Sequence, residues 1–281
     1  MILAMVSWGG SWVTAKWASA YPPQVTALWR FLVSALSFLP ILWARKESLA
    51  LPRKVWLWVG LSAAALAGYN LLFLAAMQHG PGGYGGVLVP TVNPLFSFLL
   101  AWLFLRHTVG WVALGGLALG LLGGMLQIVG PEFRLDAFTR PENLLLVGAA
   151  LAYAILGQFS AVAQREISVF RYSLWTSLLC TVFLLPFAWD HQPWAVATLG
   201  ADFWINTLYL ALAAGTFGTT LYFEAARRVG AARGSSFAFL VPVSALGLAF
   251  VFLGEVPTWT SLVGGGLSIA AVIALQRRRQ P

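Results

Sequence analysis

Charge is what this chain has least of: Asp, Glu, Lys and Arg together make up 9% of its 281 residues, against roughly 25% in an ordinary soluble domain. A water-soluble fold is thereby excluded, because 59% of the residues are hydrophobic and the mean hydropathy is +0.80, far too apolar for a polar surface to cover. Cysteine is nearly absent as well. Cys180 stands alone, which rules out an intramolecular disulfide, and its place inside an apolar run makes it a packed thiol. His79, His107 and His191 are scattered between apolar runs without Cys or carboxylate at ligand spacing, so neither a metal site nor a cofactor is expected. The glycine cluster from Gly80 to Gly86 lacks the closing Lys-Ser/Thr of a nucleotide-binding loop and reads as a turn, which leaves ATP-driven chemistry unsupported. No nucleophile is paired with a base, which argues against an enzyme. No acid stands at the middle of an apolar run to relay protons.

What is present is apolar length. Ten runs of about 18 to 24 residues match the length an α-helix needs to cross roughly 30 Å of hydrocarbon. They run from Ile2 to Ser19, Gln24 to Ala44, Val55 to Met77, Tyr84 to Leu105, Gly110 to Val129, Asn143 to Ala163, Val169 to Ala188, Phe203 to Ala226, Ser235 to Leu253 and Trp259 to Gln276. The expected fold is an all-α integral membrane protein. The first run lacks a basic leader and a small-residue cleavage site, and reads as a retained span.

The net charge of +8 does not form a nucleic-acid footprint, because the basic residues sit in short clusters between spans rather than on one aromatic-interleaved face. Arg45, Lys46, Arg53, Lys54, Arg106, Arg165, Arg171, Arg227, Arg228, Arg233 and Arg277 to Arg279 fall on one side of the ten crossings, and Arg134 and Arg140 on the other. The positive-inside rule makes the first side cytoplasmic and places both termini there. The expected partners are a small-molecule substrate and the lipid bilayer, with no nucleic acid. No feature encodes an oligomeric state, and a monomer is compatible with all of them.

The chain also repeats itself. Gly68, Phe73, Ala75, Ala76 and Gly80 return at a constant offset as Gly218, Phe223, Ala225, Ala226 and Gly230, and Leu28, Trp29, Leu39 and Pro40 return as Leu174, Trp175, Leu185 and Pro186. Residues 1–130 and 143–281 thus form two five-span units joined by a periplasmic linker, 131–142. Five is odd, so the second unit enters from the opposite face, and a pseudo-two-fold axis in the membrane plane relates the halves.

Trp8-Gly9-Gly10-Ser11 with Lys16 in the first span, Arg30-Phe31 in the second, Pro90 in the fourth, Pro242 and the closing Gly254-Glu255 in the ninth, and glycine-rich fifth and tenth spans follow in order. With these features the chain resembles the drug/metabolite transporter superfamily, specifically its EamA-type members. Arg106 departs from the pattern, standing where the first repeat usually also ends in Glu. The resemblance implies a secondary transporter of the bacterial inner membrane, often an exporter of amino acids or other small metabolites, working by alternating access.

Polar groups inside hydrocarbon are costly unless they face a bundle interior or a wet cavity, and they nominate the site. Trp8, Trp12 and Lys16 recur at steps of four, either as a cavity wall or as a packing stripe whose lysine snorkels to the headgroups. Arg30 stands about two turns into its span and can hold a carboxylate bidentately or bond helix-end carbonyls. Tyr69, Asn70 and Asn93 are the central polar groups of the first half; Tyr153, Gln158, Thr220 and Tyr222 are their candidates in the second, with interhelical hydrogen bonds as the alternative. Pro90, Pro94 and Pro242 are candidate kinks or gates, since proline frees an upstream carbonyl. The expected cargo is an aromatic or hydrophobic amino acid, with a broad-range exporter of lipophilic compounds as the runner-up. A lipid flippase, an intramembrane enzyme or a channel fits the spread of polar residues less well.

Overall fold

In a computed structural model, residues 1–105, 111–133, 135–195, 198–229, 237 and 240–277 are described. They form ten helices: α1 (Ile2–Trp17), α2 (Pro23–Ala44), α3 (Arg53–His79), α4 (Gly82–Leu105), α5 (Trp111–Val129), α6 (Pro141–Ala163), α7 (Val169–Ala188), α8, α9 (Leu240–Leu253) and α10 (Trp259–Arg277). The α8 helix is continuous but changes winding, from Ala201–Leu208 through a π-helical stretch, Tyr209–Gly218, to Thr219–Val229. Arg106, His107 and Arg233, and the expected start of the ninth span at Ser235, lie outside the described residues.

Local chemistry sets the helix starts. Pro23 and Pro141 stand at the first helical position of α2 and α6, where the missing N–H costs no bond. Ser168 caps α7 by accepting the Arg171 amide at 3.2 Å. Long apolar side chains such as Trp43, Leu3 and Val251 are left outside, 65% exposed or more, which is the surface a lipid-facing bundle needs.

The two halves face each other with opposite polarity. Equivalent helices pair across the seam, α2 with α7, α4 with α9 and α5 with α10, while α1 packs on α8 and α9 just as α6 packs on α3 and α4. Each self-pair is antiparallel. The Trp29 indole near the start of α2 donates to the Pro193 carbonyl at 2.9 Å, just past the end of α7, and the Arg45 guanidinium after α2 lies 4.6 Å over the Phe170 ring at the start of α7. Gly82 meets Leu253, Gly83 meets Ala249 and Gly86 meets Ala245, so α4 and α9 also run in opposite directions. A helix and its repeat can lie antiparallel in this way only if the second copy is inverted.

Lipid tails are as apolar as leucine, so this bundle is held by close packing rather than by escape from water. Glycine supplies the closeness. A Cβ on Gly123 would stand 2.6 Å from the Gly264 carbonyl oxygen, and one on Gly264 would stand 2.6 Å from that of Gly123, so α5 and α10 touch backbone to backbone. Gly123→Val is expected to push the two apart and cost about 1–3 kcal/mol as overpacking, read as a lower detergent melting temperature than that of Gly115→Val, whose Cβ would meet nothing within 4 Å.

The same reasoning corrects the reading of Gly80 to Gly86 as a turn. Only Gly80 and Pro81 connect the helices, and α4 begins at Gly82. Gly85 and Gly86 lie against the Trp12 ring, where a Cβ on Gly85 would stand 2.7 Å from it. Glycine serves here for contact rather than for turning.

Candidate functional site

A cavity of about 570 Å³ lies between the halves, within the usual range of small-molecule sites. Of the sequence-nominated residues, Trp8, Trp12, Arg30, Tyr69, Asn70, Asn93, Tyr153 and Tyr222 line it, with Pro90, Pro94 and Pro242. Lys16, Gln158 and Thr220 do not.

The wall carries one ionised side chain among the described residues, Arg30, and no carboxylate. Its Nη1 donates to Asn70 Oδ1 at 2.7 Å, and Asn70 Nδ2 in turn donates to the Leu66 carbonyl one turn back at 2.9 Å. The fully buried amide is thereby fixed with its oxygen toward the guanidinium. This orientation spends one of five N–H donors and leaves the rest of the planar fork to the cavity. Two aromatic pairs stand in the same wall. Tyr69 and Tyr153 approach to 4.9 Å between centroids, and Trp8 and Tyr222 to 5.2 Å.

Trp8 is held by its edge, because the indole N–H donates to the Ala214 carbonyl within the π-helical stretch at 3.0 Å. That stretch is also pinned by Thr216, which bonds Ser37 at 2.5 Å and donates to the Ala211 carbonyl five residues back at 3.2 Å. Winding with a longer repeat leaves carbonyls displaced from their usual donors. Asn93 on α4 accepts from Ser97 at 3.3 Å, and α4 continues as a helix through Pro90 and Pro94. Pro242 lies in α9 and lines the cavity.

The cavity is one-sided. On α6 and α7 its lining reaches Gln164 and Val169, at the helix ends beside the 164–168 connection, whereas Arg30 and Trp12 are its limits on α2 and α1. Beyond them the opposite face is clasped shut. Lys16 Nζ donates to the Met77 and Gly80 carbonyls, both at 2.9 Å, at the end of α3. The Glu255 carboxylate after α9 accepts from the Gly82 amide at 2.9 Å and the Gly83 amide at 2.8 Å, placing an anion on the positive end of α4. Tyr21 donates to Asp202 at 2.6 Å across the same face.

Lys16 is therefore a helix-end clamp in this state rather than a cavity wall, as charged side chains near a helix C-terminus often are. Lys16→Met is expected to lower the melting temperature by about 5–10 °C, the effect of two bonds to a charged group at about 1.5–3 kcal/mol each in a chain of this size, and to leave solute affinity unchanged in a binding titration. Gln158 is half-buried on α6 outside the wall, and the Thr220 hydroxyl is buried without a hydrogen-bond partner. Their places are taken by Gln164 and Thr219. The signal that finds these is helical phase: Tyr153, Gly157, Ser160 and Gln164 fall at steps of four, three and four, on one stripe.

The Tyr21 bond holds the Asp202 carboxyl below the usual carboxylate range and pushes the Tyr21 phenol up. A depressed carboxylate contributes stability above its unfolded pKa and loses it as pH falls through the folded value. The difference in melting temperature between the parent and Tyr21→Phe is therefore expected to shrink on acidification.

Comparison with known proteins decides the family. The model of the EamA-like transporter family matches residues 1–129 and again 140–276. The chain belongs to the EamA-like transporter family. Among EamA relatives, the "Probable terminal-alkyne amino-acid exporter" of Streptantibioticus cattleyicolor is 30% identical over 99% of this chain and 95% of its own. The "Uncharacterized transporter YoaV" of Bacillus subtilis is 26% identical over 94% and 91%. A crystal structure at 18% identity covers 99% of this chain and 96% of its own with a TM-score of 0.67, and shows the shared fold.

Proposed function

We propose that this EamA protein is a secondary transporter that exports small amphipathic amino acids, aromatic or hydrophobic in side chain, across a bacterial inner membrane by alternating access. The single observation that carries the reading is the cavity's charge: among the described residues Arg30 is the one ionised group in an otherwise neutral wall that includes several aromatic rings. A carboxylate gains a charge-assisted, bidentate partner there, while the rings accept an apolar body. A cationic drug meets a like charge and no carboxylate, which disfavours the broad-range alternative. Support comes also from the S. cattleyicolor relative, which is named as an amino-acid exporter.

In this reading both termini and the 45–52 and 164–168 connections lie on the cytoplasmic side, so the cavity collects solute from the cytoplasm while the outer face is clasped. Residues 1–130 and 143–281 act as the two moving units, with Pro90 and Pro94 as the flexible points of α4. Purified protein in proteoliposomes is expected to exchange radiolabelled aromatic amino acids. A thermal-shift screen in which cationic drugs stabilise it and amino acids do not would reverse the assignment.

A further inference from the structure

Two aromatic pairs in the cavity bridge equivalent helices of the opposite halves: Trp8 and Tyr222 join α1 to α8, and Tyr153 and Tyr69 join α6 to α3. The pairs differ in what stands beside them. Arg30 Nη1 donates to Asn70, the residue after Tyr69. At the repeat offset that carries Trp29 to Trp175, Arg30 becomes Thr176, which is neutral. The Tyr69–Tyr153 pair therefore has Arg30 in its half of the wall, whereas the position equivalent to Arg30 in the other half is uncharged.

We propose that the Trp8–Tyr222 pair is a cation subsite that takes the ammonium end of a zwitterionic solute whose carboxylate is on Arg30. This deepens the reading above and rests on it. No Asp or Glu lines the cavity among the described residues, so a solute ammonium has no ion-pair partner and must use neutral groups. The Trp8 indole N–H is already spent on the Ala214 carbonyl, so the ring offers its π face. An indole is the best of the aromatic faces for a cation, most of all where water is excluded. Trp8 and Tyr222 are both half-buried at the wall. A face of this kind requires no N–H on its guest. The subsite therefore accepts a quaternary ammonium as readily as a primary one, and the substrate class extends to betaine-like zwitterions.

The test is binding of three probes to the purified full-length protein: phenylalanine, its N,N,N-trimethyl derivative and 3-phenylpropanoate, which lacks the nitrogen. The expected order has the first two about tenfold tighter than the third. Trp8→Leu and, separately, Tyr222→Leu are expected to erase that advantage without weakening 3-phenylpropanoate, while Trp8→Phe, which keeps a ring face and loses the N–H, keeps most of it. Exclusion of the trimethyl derivative, or equal weakening of all three probes in both leucine variants, overturns the subsite and assigns the pair to the solute's apolar body. Failure of the Arg30 assignment looks different: Arg30→Ala then leaves the affinity of all three unchanged.

Discussion

Arg30→Ala is expected to weaken binding of a carboxylate-bearing aromatic amino acid by about ten- to a hundredfold, the loss of a charge-assisted hydrogen-bonded pair of about 1.5–3 kcal/mol. The same variant leaves Asn70 Oδ1, now bonded at 2.7 Å, buried without its donor, so some loss of stability accompanies it. Two controls separate the effects. Phenethylamine, which has no carboxylate, is expected to bind the variant at least as well as the parent, because a like charge has left the wall. Arg30→Lys keeps the charge and gives up the planar fork, and is expected to fall between parent and Ala. Asn70→Asp makes the point from the other side: a carboxylate set against the guanidinium cancels the net charge of the wall and should cost anion affinity with Arg30 still present.

The second large effect is expected at the closed face. Glu255→Ala removes both acceptors of the Gly82 and Gly83 amides, at about 1.5–3 kcal/mol for each bond to a charged group. Lys16 remains to hold α1 to α3, so the fold survives while the contact between the ends of α4 and α9 weakens. A shift of about tenfold or more in the balance between states follows from a loss of that size. Leu246→Cys, half-buried on α9 where its parent side chain lies 3.5 Å from the Cβ position of Gly83, reports it in a Cys180→Ala background. Labelling from the outer side by a membrane-impermeant maleimide should be slow with Glu255 present and at least several-fold faster with Ala in its place. Equal rates would make the carboxylate a mere helix cap. Arg106, the first-half counterpart of this acid, is of opposite charge.

The fold was legible because the signals that write a membrane bundle are themselves one-dimensional. Span length, alternating basic clusters and a constant repeat offset from Gly68 to Gly218 need no knowledge of contacts, and inversion follows from an odd number of spans. The cavity lining was legible where a polar residue sits on the stripe its helix turns toward the cavity, as Arg30, Asn70, Asn93 and Tyr153 do. It was not legible where the partner is backbone. Lys16 bonds the Met77 and Gly80 carbonyls, and a carbonyl leaves no mark in a sequence. Glu255 answers two glycine amides of the other half for the same reason. Gln158 and Thr220 stand one residue from the cavity-lining Gly157 and Thr219, a rotation of about 100° on a helix, and centrality in the span was a poorer guide than phase. The π-helical stretch of α8 had no herald at all, since its counterpart in α3 is wound as an ordinary α-helix.

The account depends most on a solute held by its carboxylate in the cavity between inverted halves. Counterflow in proteoliposomes tests this directly: vesicles loaded with unlabelled phenylalanine are offered labelled phenylalanine or labelled phenethylamine. Accumulation of the amino acid but not the amine, abolished by Arg30→Ala and reduced by Arg30→Lys, is the predicted result. Accumulation of the amine to the same level, or of the amino acid undiminished without Arg30, would contradict it.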